Sequence, residues 1–129
     1  MSLFNSVFGS SENQNANSDN INWIALQDLG QLNEIIAVSN EKPVVIFKHS
    51  TRCSVSRMAL KQFENEYDAA DATENYFLDL IAFRDVSNAI ASRFNVFHQS
   101  PQLLLIKDGI AVYNASHSEI DAKTVAEKL

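Results

Sequence analysis

A second cysteine is missing from this 129-residue sequence, which excludes an intramolecular disulfide framework and any four-cysteine zinc site. If Cys53 has a chemical function, it works alone. No apolar run approaches the ~18 residues that span a bilayer, and no Lys or Arg precedes Lys42, so the positive start of a secretory signal is missing. The expected compartment is the cytoplasm, with no membrane span. Three glycines and two prolines are too few for a collagen-like or low-complexity chain. An excess of bases is missing as well: the net charge of −6 argues against general nucleic-acid binding.

The chain is 46% hydrophobic and long enough for one domain. A chain of this length buries roughly two thirds of its unfolded surface, so neither disulfide nor metal is needed as a staple. Charge is distributed unevenly. Lys42, Lys48, Arg52, Arg57 and Lys61 fall in one segment without Asp or Glu, so that segment is +5 and the rest of the chain −11. This basic island surrounds Cys53.

Residues 1–20 hold five Asn and five Ser without a sustained apolar period, and are expected to be a flexible polar tail. A domain over 21–129 follows. Leu29, Leu32, Ile35 and Ile36 recur at helical spacing, with Trp23 to Leu26 leading in. Val44 to Phe47, after Pro43, is a continuous apolar run of the kind found in a strand covered on both faces. From Cys53 the positions Val55, Ala59, Leu60, Phe63 and Tyr67 mark a helix of about four turns. Tyr76 to Ile81 is the next strand and Val86 to Phe94 the next helix, capped by Asp85 or Ser87. Leu103 to Ile106 follows Pro101 as a third strand. Asp108-Gly109 is a two-residue hairpin signal, returning Ile110 to Tyr113 antiparallel. Ser118 to Leu129 closes as an amphipathic helix with Ser118 and Asp121 in a capping box. The expected architecture is α/β: a mixed sheet of about four strands with helices on both faces.

Cys53 stands where a buried strand turns into a helix, at a point where several backbone N–H groups lack intrahelical partners. Those groups favour a negative sulfur, by ~0.3–1 kcal/mol when exposed and up to ~2 kcal/mol when partly buried. As N-cap, the sulfur is expected to accept from the Val55 and Ser56 N–H groups, with the Ser56 hydroxyl reaching back to it. Lys48, His49, Arg52 and Arg57 act in the same direction. A buried inert thiol is the ordinary alternative, but Ser50, Thr51, Arg52, Ser54 and Ser56 are poor neighbours for a core position. Ser100-Pro101, just before a strand, reads either as a plain strand-opening proline or as a tight turn at the same edge, where Ser100 is expected to offer backbone groups to an extended thiol substrate.

The segments Phe47-Lys48-His49-Ser50-Thr51-Arg52-Cys53-Ser54-Val55-Ser56, Leu78-Asp79-Leu80, Arg84-Asp85-Val86-Ser87 and His98-Gln99-Ser100-Pro101-Gln102 resemble the monothiol bacilliredoxin-like proteins of the thioredoxin superfamily. The resemblance covers about residues 21–129. It implies a thioredoxin-like fold with a cis-Pro loop at Pro101, Cys53 as nucleophile, and Ser56 where dithiol relatives carry a resolving cysteine.

The expected catalytic residues are therefore Cys53 and Ser56. The expected substrate-binding residues are Lys48, His49, Thr51, Arg52, Arg57, Ser100 and Pro101. No tightly bound cofactor or metal is expected; the co-substrate is a low-molecular-weight thiol of the bacillithiol type, and the partners are S-thiolated client proteins. Without a second cysteine, the monothiol cycle is the open route. Two competing functions are a non-enzymatic thioredoxin-like adaptor and a metal or iron–sulfur protein drawing on His49, Cys53, His98 and His117. The spacing of those four matches no compact metal motif. Asp79, inside an apolar strand, reads either as a buried proton relay or as a solvent-facing acid.

Overall fold

The computed structural model describes residues 21–129; the tail expected over 1–20 lies outside the described residues. The elements run β1 (Ile24–Ala25), α1 (Gly30–Ser39), β2 (Val44–His49), α2 (Ser54–Glu66), β3 (Glu74–Asp79), α3 (Arg84–Arg93), β4 (Gln102–Lys107), β5 (Ile110–Ser116) and α4 (Ala122–Glu127), with single 3-10 turns at Ala70–Ala72 and His117–Glu119.

The strands form one mixed sheet in the order β1-β3-β2-β4-β5. β1, β3 and β2 run parallel, β4 is antiparallel to β2, and β5 is antiparallel to β4. The sheet has five strands rather than about four. The extra one is the two-residue β1, too short to show a period and continuous in sequence with the approach to α1.

Side chains along a strand alternate between the two faces, and this sorts the core into two layers. Val44 and Ile46 of β2, Tyr76 and Leu78 of β3, and Leu104 and Ile106 of β4 pack against Leu32 and Ile35 of α1 and Val86 and Ile90 of α3. Val45, Phe47, Leu103 and Leu105 pack on the other face against Phe63 of α2 and Val125 of α4. Phe47 and Trp23 both meet the Phe63 ring, with centroids 5.9 and 6.3 Å away. β2 is central and buried along its whole length, so whatever follows it is rigidly placed.

Two caps differ from expectation. α3 begins two residues earlier, at Arg84 after Phe83, without a side-chain cap; Ser87 is buried instead. α4 is capped by Asp121, whose carboxylate accepts the Thr124 N–H at 3.2 Å and the Thr124 hydroxyl at 2.6 Å. Ser118 lies in the preceding 3-10 turn.

Candidate active site

β2 outlasts its apolar run by two residues, Lys48 and His49. Alternation sends these neighbours to opposite faces. Lys48 continues the row of Val44 and Ile46 beneath α3, and His49 continues the row of Val45 and Phe47 beneath α2. Both are buried, Lys48 to 0% exposure and His49 to 6%. Both were expected to bind substrate; in the fold neither presents its side chain to solvent, and each meets a buried polar partner.

Beneath α2, His49 Nδ1 lies 2.7 Å from Ser56 Oγ, which also accepts the Ser50 N–H at 3.0 Å. The ring packs on Phe77, with centroids 5.4 Å apart. Burial holds the His49 pKa below the ordinary 6.5; Asp79 opposes that shift and Arg57 adds to it. Beneath α3, the Lys48 ammonium donates to His98 Nδ1 at 2.9 Å and to Gln102 Oε1 at 3.2 Å. Burial lowers its pKa from 10.5 to about 8.

Between these anchors the chain turns. The Cys53 N–H donates to the Ser50 carbonyl at 3.2 Å, and the Cys53 carbonyl accepts the Arg57 N–H at 3.1 Å, opening α2. Cys53 is the N-cap of α2, in extended conformation, and is half-buried. The sulfur itself makes no capping hydrogen bond, contrary to expectation, since a thiol is a weak acceptor. The Ser56 hydroxyl does not reach back to it either, being committed to His49 and Ser50. Ser56 is completely buried. Thr51, Arg52 and Arg57 are exposed around Cys53, and the Arg57 guanidinium donates to the Thr51 carbonyl at 3.4 Å.

The second loop meets the first at the same edge. Lys48 and Gln102 are register partners in the antiparallel β2–β4 pair, so the end of β2 that leads to Cys53 lies beside the start of β4 that follows Pro101. The Ser100–Pro101 peptide is cis. Ser100 is half-buried and Pro101 buried, with the Pro101 carbonyl accepting the His117 N–H at 3.1 Å. A shallow groove of about 190 Å³, lined by Val55, Met58, Ala59, Gln62, His117, Ser118 and Ile120, adjoins this edge. The hollow lined by Glu66, Asp68 and Asp71 is at the other end of α2 and far from the sulfur in sequence.

The basic island is smaller in space than in sequence. Lys42 pairs with Glu74 at 3.3 Å, at the opposite end of β2, and Lys48 is internal. Arg52 and Arg57 remain beside Cys53. The histidines are likewise separated: His49 and Lys48-bound His98 belong to opposite faces of the sheet, and no cluster of three or more metal-ligating side chains occurs among the described residues. The donor set imagined for a metal is therefore not assembled. Asp79 is not buried beneath the edge; its carboxylate accepts the Ile81 and Ala82 N–H groups at 3.2 and 3.4 Å, closing the turn after β3. Sequence reasoning gave Gln102 no role of its own and His98 only that of a candidate metal donor; it missed their links to Lys48, which span 54 and 50 positions.

The family model described as monothiol bacilliredoxin BrxC matches residues 24–125. A solved structure provisionally named as an oxidoreductase with a thioredoxin fold is 32% identical, with 81% of this chain and 91% of that one covered and a TM-score of 0.72. Thioredoxin from Fasciola hepatica is 18% identical over 81% of this chain and 93% of its own, with a TM-score of 0.62. Thioredoxin from Malassezia sympodialis is 20% identical over 81% and 84%, with a TM-score of 0.60. These last two share the thioredoxin fold.

Proposed function

The chain belongs to the monothiol bacilliredoxin family, and on that premise we propose that it is a monothiol thiol–disulfide oxidoreductase removing a small thiol of the bacillithiol type from mixed disulfides on client proteins. Membership gives it a redox thiol function on a thioredoxin fold. The finer reading rests on one observation: the chain's single cysteine is half-exposed at the N-terminus of α2, while the position three residues on is a serine sealed against His49. No second thiol stands ready to resolve a disulfide internally.

The cycle uses two exchanges. The Cys53 thiolate attacks the small-thiol sulfur of the mixed disulfide, forming a new S–S bond while the client leaves as its thiolate. A second small-thiol thiolate then attacks that same small-thiol sulfur, releasing the symmetric small-thiol disulfide and the Cys53 thiolate. Electrons balance in each step, since one S–S bond is broken for each one made. Exposed Arg52 and Arg57 complement the carboxylates that bacillithiol carries, and Ser100, half-exposed across the edge, offers backbone to the extended substrate. No resident cofactor is needed, and the reducing cytoplasm is the compartment in which such exchange is useful.

The test is release of bacillithiol from a client carrying it as a mixed disulfide, comparing wild type with Cys53→Ala. Release by the wild type alone is expected. Equal release by both removes the proposal.

A further inference from the structure

A buried lysine is an expensive choice. A methionine or leucine fills the same space beneath α3 without desolvating an ammonium, and apolar replacements of buried charges are often neutral or stabilising. Lys48 has no exposure, so its charge serves neither solubility nor direct contact with a substrate. What it does touch is specific. Its Nζ donates to Gln102 Oε1 at 3.2 Å and to His98 Nδ1 at 2.9 Å. Gln102, itself 1% exposed, gathers the loop in turn: its Nε2 donates to the Phe97 carbonyl at 2.9 Å, and its Oε1 also takes the Gln99 N–H at 3.4 Å. Ser87 Oγ, from α3, approaches His98 Nδ1 at 3.4 Å.

Besides the backbone bond from the His117 N–H to the Pro101 carbonyl, the loop between α3 and β4 is held by these side chains, and their network closes on one atom of the central strand. We propose that Lys48 is a positioning residue for disulfide exchange: through Gln102 and His98 it fixes the Phe97–Gln102 loop to the strand that also delivers Cys53. The two walls of the site are then set by adjacent residues of β2. His49 fixes the Cys53 side through Ser56 and Ser50, and Lys48 fixes the Ser100 side. This inference rests on the proposed exchange reaction for its kinetic consequence, and on the network alone for its structural one.

The experiment compares full-length wild type, Lys48→Met and Gln102→Leu in three measurements. These are hydrogen exchange of the 97–102 backbone, the rate of Cys53 alkylation by iodoacetamide at pH 7, and KM and kcat for a bacillithiol mixed disulfide. Lys48→Met is expected to speed exchange in this loop. It should raise KM about five- to fiftyfold, as a misplaced binding wall does, while alkylation stays close to wild type because the small reagent does not use the wall. The Lys48→Met/Gln102→Leu double variant should show little further rise, since both act through one network. Unchanged loop exchange, or a slowed alkylation with KM unaltered, overturns the inference. Should Lys48→Met fail to fold, Gln102→Leu decides by the same criteria. An inactive wild type counts against the proposed reaction and leaves loop exchange to judge Lys48.

Discussion

The Ser56 hydroxyl oxygen lies 2.7 Å from His49 Nδ1 and turns the residue three positions after Cys53 into the protein rather than toward the sulfur. The pair ties α2 to the end of β2, and the Ser50 N–H, 3.0 Å from the same oxygen, fixes the turn between them. Ser56→Ala leaves a buried imidazole nitrogen and a backbone N–H without a partner, at a cost of about 1–3 kcal/mol. Thermal or urea unfolding should show that loss. Alkylation of Cys53 at pH 7 should change little, because the hydroxyl is not bonded to the sulfur; a large fall in alkylation with full stability would contradict this geometry.

Stability should depend on pH through the two buried bases at the end of β2. His49 has a folded pKa below 6.5, so on acidification below that value the unfolded chain binds the proton first and stability falls. His98 is depressed in the same direction by burial, then by Lys48 and Arg84, so His49→Gln should reduce the acid slope without abolishing it. Lys48 gives the alkaline arm. Its pKa is about 8 folded against 10.5 ordinarily, so between these values the unfolded chain again holds more protons and stability rises with pH. Tyr67, Tyr76 and Tyr113, all raised chiefly by burial, oppose this above 10. Urea midpoints from about pH 7.5 to about 9.5 should therefore rise in the wild type and stay flatter in Lys48→Met. Equal slopes in the two would show that the lysine titrates as if exposed.

Much of this arrangement is written locally, and the rest is not. The β5 hairpin is legible because Asp108 and Gly109 tolerate the positive φ of 52° and 76° that a two-residue turn demands. Cys53 at a strand-to-helix junction follows from the switch of apolar period from continuous to helical. The fate of Lys48 and His49 was also within reach: carrying the alternation of β2 two residues further assigns them to opposite covered faces. What hides it is the habit of charged side chains to seek water, which is overridden here by Gln102 and His98 more than forty positions away. Lys42 belongs to the same basic run yet pairs with Glu74 at the other end of the strand, so a one-dimensional charge cluster overstated the field around Cys53. The two-residue β1 has too few positions for any period.

Arg52 and Arg57 are the members of that run nearest Cys53 in sequence, and their effect should be electrostatic in character. Both are exposed, so their attraction for an anionic thiol is screened over a Debye length of about 8 Å at physiological salt. Arg52→Ala combined with Arg57→Ala should raise KM for a mixed disulfide whose small thiol bears carboxylates by several-fold at low ionic strength. The difference from wild type should shrink as salt is added. A neutral small thiol such as β-mercaptoethanol in the same linkage gives the control: its KM should be nearly the same in both proteins, since Cys53, the first turn of α2 and the Ser100 wall are untouched. A salt-independent loss shared by both substrates would instead mean that the arginines hold the turn in place, where Arg57 already reaches the Thr51 carbonyl at 3.4 Å, and do not select the charge of the thiol.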